Sequence, residues 1–496
     1  MDTIRNYIDG AFCDARSGRT LEVVEPATGR VYASAPASDA ADVDDAVAAA
    51  KRAFPGWRDT PPSERSRALL RLAELIEGNL DRLALAESID SGKPIALARR
   101  VDIPRAAANF RFFATAILHG SGEAYETHLP GMDGAGDVRA INLVHRKPRG
   151  VAGLISPWNL PLYLLTWKIA PALATGNTAV AKPSEVTPMT ASLMCELAGE
   201  AGLPAGVLNI VHGFGGDAGA AIVSHPDVPT ISFTGGTATG RLLAAAAGPK
   251  FKRMSLELGG KNAMLVFEDA DLDAAAELAC RAGFTNQGQI CLCASRVLVH
   301  ERLHDAFVER LVACARRLTI GDPLEEATGF GAVVSADHRD KVLDAIERAR
   351  HEGGEVVLGG GVPRGLPERC SGGYFVEPTI VTGLAADCGV ERNEIFGPVV
   401  SVSSFADEAE AVARANSTEY GLAAVVVTKD LSRAHRVSRS LEAGIVWVNC
   451  WMLRDLRTPF GGVKQSGVGR EGGVEALRFF TEPTNVCIKL DESRAG

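Results

Sequence analysis

The sequence is poor in aromatic side chains, at 6% of 496 residues, and it contains no long uninterrupted apolar run. Its longest apolar region, 151–174, is broken by Asn159, Lys168 and three prolines, which argues against a membrane span. A basic excess is missing as well. The 61 acidic residues outnumber 52 basic ones, for a net charge of −9, and the two signs are mixed along the chain, so no cationic face points to nucleic acid or anionic lipid. Ten cysteines lie scattered from Cys13 to Cys487, with no CxxC pair and no histidine cluster beside them. That excludes a dense disulfide framework and disfavours a zinc site, so no metal is expected. A reducing cytoplasm fits these thiols, and the opening MDTIRNYIDG lacks the apolar core and basic flank of a targeting signal.

What is present is ordinary for a globular protein: 46% apolar and 23% charged residues. The length suggests about three compact units. Between Ser38 and Ile89, apolar positions such as Leu69, Leu72, Ile76, Leu80 and Leu83 recur three or four apart, which predicts helices, with Pro61 and Pro62 separating two of them. From Val151, short apolar runs (VAGLIS, TAVAKP, VLNIVHG, TISFTG) alternate with helical stretches such as Ala191 to Ala201. This is the pattern of βαβ units and predicts a doubly wound parallel sheet. A second alternation from Asn262 to Asn449 predicts a second α/β unit. Tyr125 to Lys147 and Thr481 to Leu490 fit neither core; the open edge of such a terminal strand covers either its own subunit or another.

Chemistry is concentrated in a few segments. FTNQGQIC, 284–291, places Cys291 on a Gly- and amide-rich turn between a helix and the strand SRVLVH, a setting for an exposed nucleophilic thiol; the other nine cysteines read as buried and inert. LELGGKN puts Glu257 in an apolar run that breaks at Gly259 and Gly260, where desolvation raises a carboxyl pKa toward that of a general base. SPWNLPL holds Asn159 between Pro157 and Pro161 on a rigid turn, an amide donor available to an oxyanion or simply a turn former. FTGGTATG, following the strand VPTISF and opening a helix, presents backbone N–H groups to a pyrophosphate, although it is neither GxGxxG nor a Walker loop. AVAKPSE adds Lys182 and Glu185, and an acid there repels a 2′-phosphate and so favours NAD over NADP.

Asn159, Lys182 with Glu185, the Gly235/Gly240 loop, Glu257 in ELGGKN, Cys291 in NQGQIC, Glu394 with Phe396 in EIFGPV, and PFGGVKQSGVGRE resemble the aldehyde dehydrogenase superfamily, in its order and over nearly the whole chain. The resemblance implies an α/β fold with a Rossmann-type NAD-binding unit from 1–124 and 148–256, and an α/β catalytic unit from 257–448. It also implies a small β bridging unit from 125–147 and 481–496, a substrate-tunnel and return segment at 449–480, and a homodimer or homotetramer. It further implies that Cys291 attacks an aldehyde, that Asn159 and the Cys291 N–H hold the oxyanion, and that Glu257 activates the water that hydrolyses the thioester. Lys182, Glu185, Gly235, Gly236, Gly240, Ser156, Trp158, Glu394 and Phe396 would hold NAD. Gly236 departs from the family, where a Ser often follows the first glycine; Thr237 is the candidate replacement for the lost phosphate contact.

NCWMLRDLRTPFGG carries Arg454 and Arg457 where many relatives have apolar residues, and DIPRAAANFRFFA brings Arg105 and Arg111. With Phe460 in the tunnel wall, these segments resemble the branch that oxidises muconate semialdehydes, with Arg105 and Arg454 as the expected carboxylate clamp and surface ion pairs the expectation for Arg111 and Arg457. The implied substrate is 2-aminomuconate 6-semialdehyde, with 2-hydroxymuconate 6-semialdehyde as the alternative. A catalytically silent relative and a coenzyme-A-acylating enzyme are the competing classes; intact Cys291, Glu257, Asn159, Lys182 and Glu394 stand against the first, and the retained Glu257, through its role in water activation, against the second.

Overall fold

The computed structural model describes residues 2–130 and 137–490, so parts of the two expected bridging segments, 131–136 and 491–496, lie outside the described residues. The helical reading of 38–89 corresponds to Ala40–Asp59, Pro62–Gly78 and Leu80–Ser91. Asp39 caps the first of these, its side chain accepting from Ala41 while Asp42 reaches back to the Asp39 N–H. Pro62 occupies the first turn of the second, where its missing N–H costs nothing.

The first large sheet has eight strands, five of them parallel and ordered Arg253–Glu257, Thr230–Thr234, Val151–Ile155, Thr178–Lys182, Leu208–Ile210. Every position of the three central strands is buried, which is why they read as continuous apolar runs without alternation: helices cover both faces. Val151–Ile155 comes first in sequence but lies in the middle, between Thr230–Thr234 and Thr178–Lys182. Strand order therefore reverses beside it, and a crevice opens at the carboxyl ends of these two neighbours.

The second sheet has seven strands, and six of them, from Thr379–Thr382 to Ile445–Val448, run parallel; Glu355–Leu358 is the antiparallel edge. Two connections join the sheets through the same region. One is the turn after Glu257; the other is the return of the chain from Val448 to Gly467–Val468, which adds an antiparallel strand beside Arg253–Glu257. Glu257 thus closes a strand of the first sheet, one residue beyond the expected seam at 256/257.

Glu123–Pro130, Asp137–Pro148 and Thr481–Leu490 form a separate antiparallel sheet of three strands, so the two stretches that fitted neither core pair with each other. Tyr125, Leu129 and Ile488 on it are exposed. Among the described residues, no helix is long and apolar enough to cross a membrane.

Candidate active site

At the reversal point, Ile155 leads into the turn Ser156–Asn159 and Thr234 into Gly235 and Gly236. The hydroxyls of Ser156 and Thr234 are buried and have no hydrogen-bond partner among the described residues. Unfilled donors and acceptors at a helix start are what a bound polar group would satisfy. The helix Thr237–Ala247 begins here with Gly236 as its N-cap and no side-chain cap. A Cβ on Gly240 would come within 2.5 Å of Leu258, so only glycine lets this helix lie against the Glu257 turn. At Gly236, by contrast, a Cβ would meet nothing within 4 Å. The substitution away from serine leaves open space.

Lys182 ends its strand almost fully buried, donating to the Pro183 carbonyl at 2.9 Å and to Glu185 at 3.1 Å. Burial lowers its pKa, and the Glu185 carboxylate opposes that shift. Phe396, held at φ 64°, meets Trp158 edge to face at 5.3 Å, and its carbonyl contacts His338 Nε2 at 2.8 Å. Burial pulls the His338 pKa down to about 4, so the ring is neutral. Trp158, Asn159, Gly235, Gly236, Cys291, Glu394 and Phe396 line one cavity of about 240 Å³ with His338 and Lys341. Segments far apart in sequence thereby meet in one crevice.

Cys291 follows the helix Leu272–Phe284 through a tight turn in which Asn286 and Gln287 both adopt left-handed φ, at 54° and 56°. Non-glycine residues hold that conformation only where surroundings over-determine it. Here Asn286 donates to the Asn159 carbonyl at 3.0 Å, and Asn262 donates to the Cys291 and Cys293 carbonyls at 2.7 and 2.9 Å. The Asn159 side-chain amide donates to the Gln289 carbonyl at 2.9 Å, which leaves its second N–H uncommitted beside the Cys291 loop. Of the other cysteines, Cys195, Cys280, Cys293, Cys314 and Cys370 are buried, but Cys13, Cys388 and Cys450 are half-buried and Cys487 is exposed, so the expectation of nine buried thiols does not hold. Edge and loop positions are not distinguishable from core ones by a lone Cys in sequence.

Burial raises the Cys291 thiol pKa well above its ordinary value; the Glu394 and Glu257 carboxylates add to this, and Arg454 opposes it. Glu257 is 3% exposed with neither carboxyl oxygen bonded to a described residue, and desolvation, reinforced by Glu471, lifts it well above the usual carboxylate range. A Cβ on Gly461 would come within 2.7 Å of its carboxyl oxygen, so that glycine makes room for it. Glu394 is half-buried and accepts from the Gly260 N–H at 3.0 Å. Two groups escaped the sequence reading: Lys168 and Glu471, a buried pair at 2.8 Å that shares Ser232 and acts electrostatically on Glu257. They are 303 positions apart, and nothing local marks them.

The four arginines separate cleanly. Arg105 and Arg454 lie 5.4 Å each from the Trp167 ring; Arg105 also stacks on Tyr163, and Arg454 donates to the Tyr163 hydroxyl at 2.9 Å while sitting 3.9 Å above the buried Phe460 ring. Arg105 Nε donates to Asn109, whereas one of its terminal nitrogens is buried without a partner. Neither guanidinium pairs with an acid among the described residues. Both line an open groove of about 950 Å³ with Trp447, Leu453 and Phe112. Arg111 instead pairs with Glu77 at 2.5 Å and Arg457 with Asp455 at 2.6 Å, both on the surface.

A Gly-lined crevice at a strand reversal, a thiol and a desolvated carboxylate define a dehydrogenase-type site, and the sequence comparison agrees: the aldehyde dehydrogenase family model matches residues 12–486, and the chain belongs to that family. It is 50% identical over 487 residues, 98% of each chain, to 2-aminomuconic semialdehyde dehydrogenase of Danio rerio. It is 52% identical over 492 residues, 99% of this chain and all of the relative, to 2-hydroxymuconic semialdehyde dehydrogenase of Pseudomonas sp. strain CF600. Among solved structures, PnpE of Pseudomonas sp. WBC-3 in complex with nicotinamide adenine dinucleotide superposes with a TM-score of 0.94 at 44% identity, covering 99% of both chains.

Proposed function

We propose that the protein oxidises 2-aminomuconate 6-semialdehyde to 2-aminomuconate, with NAD as acceptor. The observation that carries the substrate class is the convergence of Arg105 and Arg454 on Tyr163 and Trp167, with neither paired to an acid among the described residues. Two half-buried guanidiniums with no acid partner among the described residues call for an anion from outside. A semialdehyde carrying a carboxylate at its far end supplies that anion.

The crevice suits NAD. The unpartnered hydroxyls of Ser156 and Thr234, the open helix start at Gly235, Gly236 and Gly240, and the polar ends of Lys182, Glu185 and Glu394 would hold phosphate and ribose, and Trp158 and Phe396 would flank the ring. NAD, when bound, supplies the hydride acceptor. Cys291 yields its proton to Glu257, and the sulfur bonds to the aldehyde carbon. The resulting oxyanion is held by the free N–H of the Asn159 amide and the Cys291 backbone N–H. Loss of hydride gives a thioester. Glu257 releases the thiol's proton to solvent, then takes a proton from water; the hydroxyl adds to the acyl carbon, the carbon–sulfur bond breaks to release the acid, and Glu257 returns its proton to the departing Cys291 sulfur. Lys168 and Glu471, beside Glu257, tune how readily it gives that proton up.

The second reading is the 2-hydroxy analogue, favoured by the 52% identity to the Pseudomonas relative of that name. Initial rates of NADH formation with both semialdehydes and with a neutral aldehyde of similar length test the assignment. The expected result is a kcat/KM for the amino compound above both others. Equal values for the muconate compounds and the neutral aldehyde would remove the substrate class while leaving the family chemistry intact.

A further inference from the structure

Beneath the Asn159 turn lies a charged cluster that the proposed reaction leaves unused. Lys93, Glu87 and Asp102 are all fully buried. The Lys93 ammonium contacts Glu87 at 3.4 Å, Asp102 at 3.1 Å and the main-chain carbonyl of Asn159 at 3.1 Å. An ammonium has three N–H donors, and these three acceptors use all of them. The second oxygen of Glu87 accepts from the Leu162 N–H at 3.4 Å, so the cluster grips both ends of the turn from Asn159 to the start of the helix Pro161–Ala174.

The support itself is rigid. Gly92 ends its helix at φ 73°, its carbonyl accepts from Ala332 at 2.9 Å, and Ile95 donates to Pro323 at 2.8 Å, so the Lys93 backbone is pinned on both sides. On the other side of the turn, the Asn159 carbonyl accepts from Asn286 of the nucleophile loop. That one carbonyl is therefore shared between the buried lysine and the loop that carries Cys291, while the side chain of the same residue points its amide to Gln289, two positions before the thiol. Apolar side chains would fill this volume without the desolvation that three ionisable groups incur, so packing alone does not account for the cluster.

We propose that Lys93 is a positioning residue for oxyanion stabilisation: by holding the Asn159 carbonyl it fixes the turn so that the Asn159 amide stands ready beside Cys291. This rests on the reading of Asn159 as the oxyanion donor. The effect is on geometry in the acyl-forming step, with no contact to substrate or cofactor.

A double-mutant cycle on the full-length enzyme with NAD and substrate tests it, reading single-turnover NADH formation. Asn159→Ala is expected to slow this step by about 10²- to 10³-fold. Lys93→Met is expected to slow it by about 10-fold or more in the native background but by less than about twofold when Asn159→Ala is already present, because residues acting through one another are non-additive. NAD affinity should stay within about twofold. If the two losses multiply instead, Lys93 serves stability only and the proposal falls; it falls equally if Lys93→Met leaves the rate unchanged. An unchanged rate in Asn159→Ala alone would overturn the underlying oxyanion reading, a distinguishable failure. Should Lys93→Met not fold, Asp102→Asn replaces it in the same cycle, with a loss of about threefold expected and the same vanishing of that loss beside Asn159→Ala.

Discussion

Replacing Arg105 by methionine separates recognition from chemistry most cleanly, because the Arg454 charge acts on both Cys291 and Glu257, so that replacing Arg454 would alter the reacting groups as well. Methionine keeps an extended apolar stem and removes the charge. In the free protein the guanidinium has one intramolecular acceptor, Asn109 at 3.1 Å, and a buried nitrogen with none. A bound carboxylate would supply two charge-assisted bonds, each about 1.5–3 kcal/mol, part of which Arg454 and the Tyr163 hydroxyl retain after the substitution. The net loss is then about 3 kcal/mol of transition-state stabilisation, or about 150-fold in kcat/KM for a carboxylated semialdehyde. For a neutral aldehyde of the same length the expected change is within about threefold, and Tm should change little, since a partly desolvated cation with no acid partner among the described residues, repelled by Arg454, is lost. Initial NADH rates for both substrates, with a melting curve, decide the matter. Equal losses for the two aldehydes, or none for either, would refute the clamp.

Three further outcomes follow from the site. Glu257→Gln should slow the first turnover of about one NADH per site, because the Cys291 proton loses its acceptor, and slow the steady state further, by about 10²-fold or more, because water activation is lost as well; rapid-mixing absorbance measures both phases. The thiol of Cys291 and the carboxyl of Glu257 are each raised by burial, and both must lose protons to act, so kcat/KM should climb from neutral into alkaline pH; because the Arg454 charge lowers both pKa values, Arg454→Met should move that limb to higher pH even for a neutral aldehyde. Gly236→Ser, placed in open space at an uncapped helix start, should tighten NAD binding by about three- to tenfold in a fluorescence titration.

The parallel strands were legible because central strands covered on both faces leave apolar runs, and the observed Arg296–His300 falls on the run SRVLVH expected from sequence. The nucleophile loop was legible for a different reason: its amide- and Gly-rich string is a local turn signal. The arginines show where such reasoning stops. Arg105 and Arg111 are six apart on the helix Ile103–Ala116, which rotates them to different faces, yet only the neighbouring elements determine which face meets Trp167 and which meets Glu77. Arg457 is held by Asp455 two residues away, a pairing visible in the sequence itself. Lys168 with Glu471, and Lys93 with its two acids, were invisible because buried ion pairs are made by tertiary approach and carry no spacing rule.

The chain passes from the first sheet to the second beside Glu257 and returns as Gly467–Val468 along the same strand that carries it. The proposed base, Glu257, and the proposed nucleophile, Cys291, therefore belong to different sheets, tied at one place by two covalent crossings. A break introduced between the halves cuts through the catalytic seam itself, so complementation of separately expressed fragments is expected to restore binding surfaces sooner than turnover. Inheritance of this chemistry is a property of the undivided polypeptide: neither half, duplicated or fused elsewhere, would transport the reaction with it.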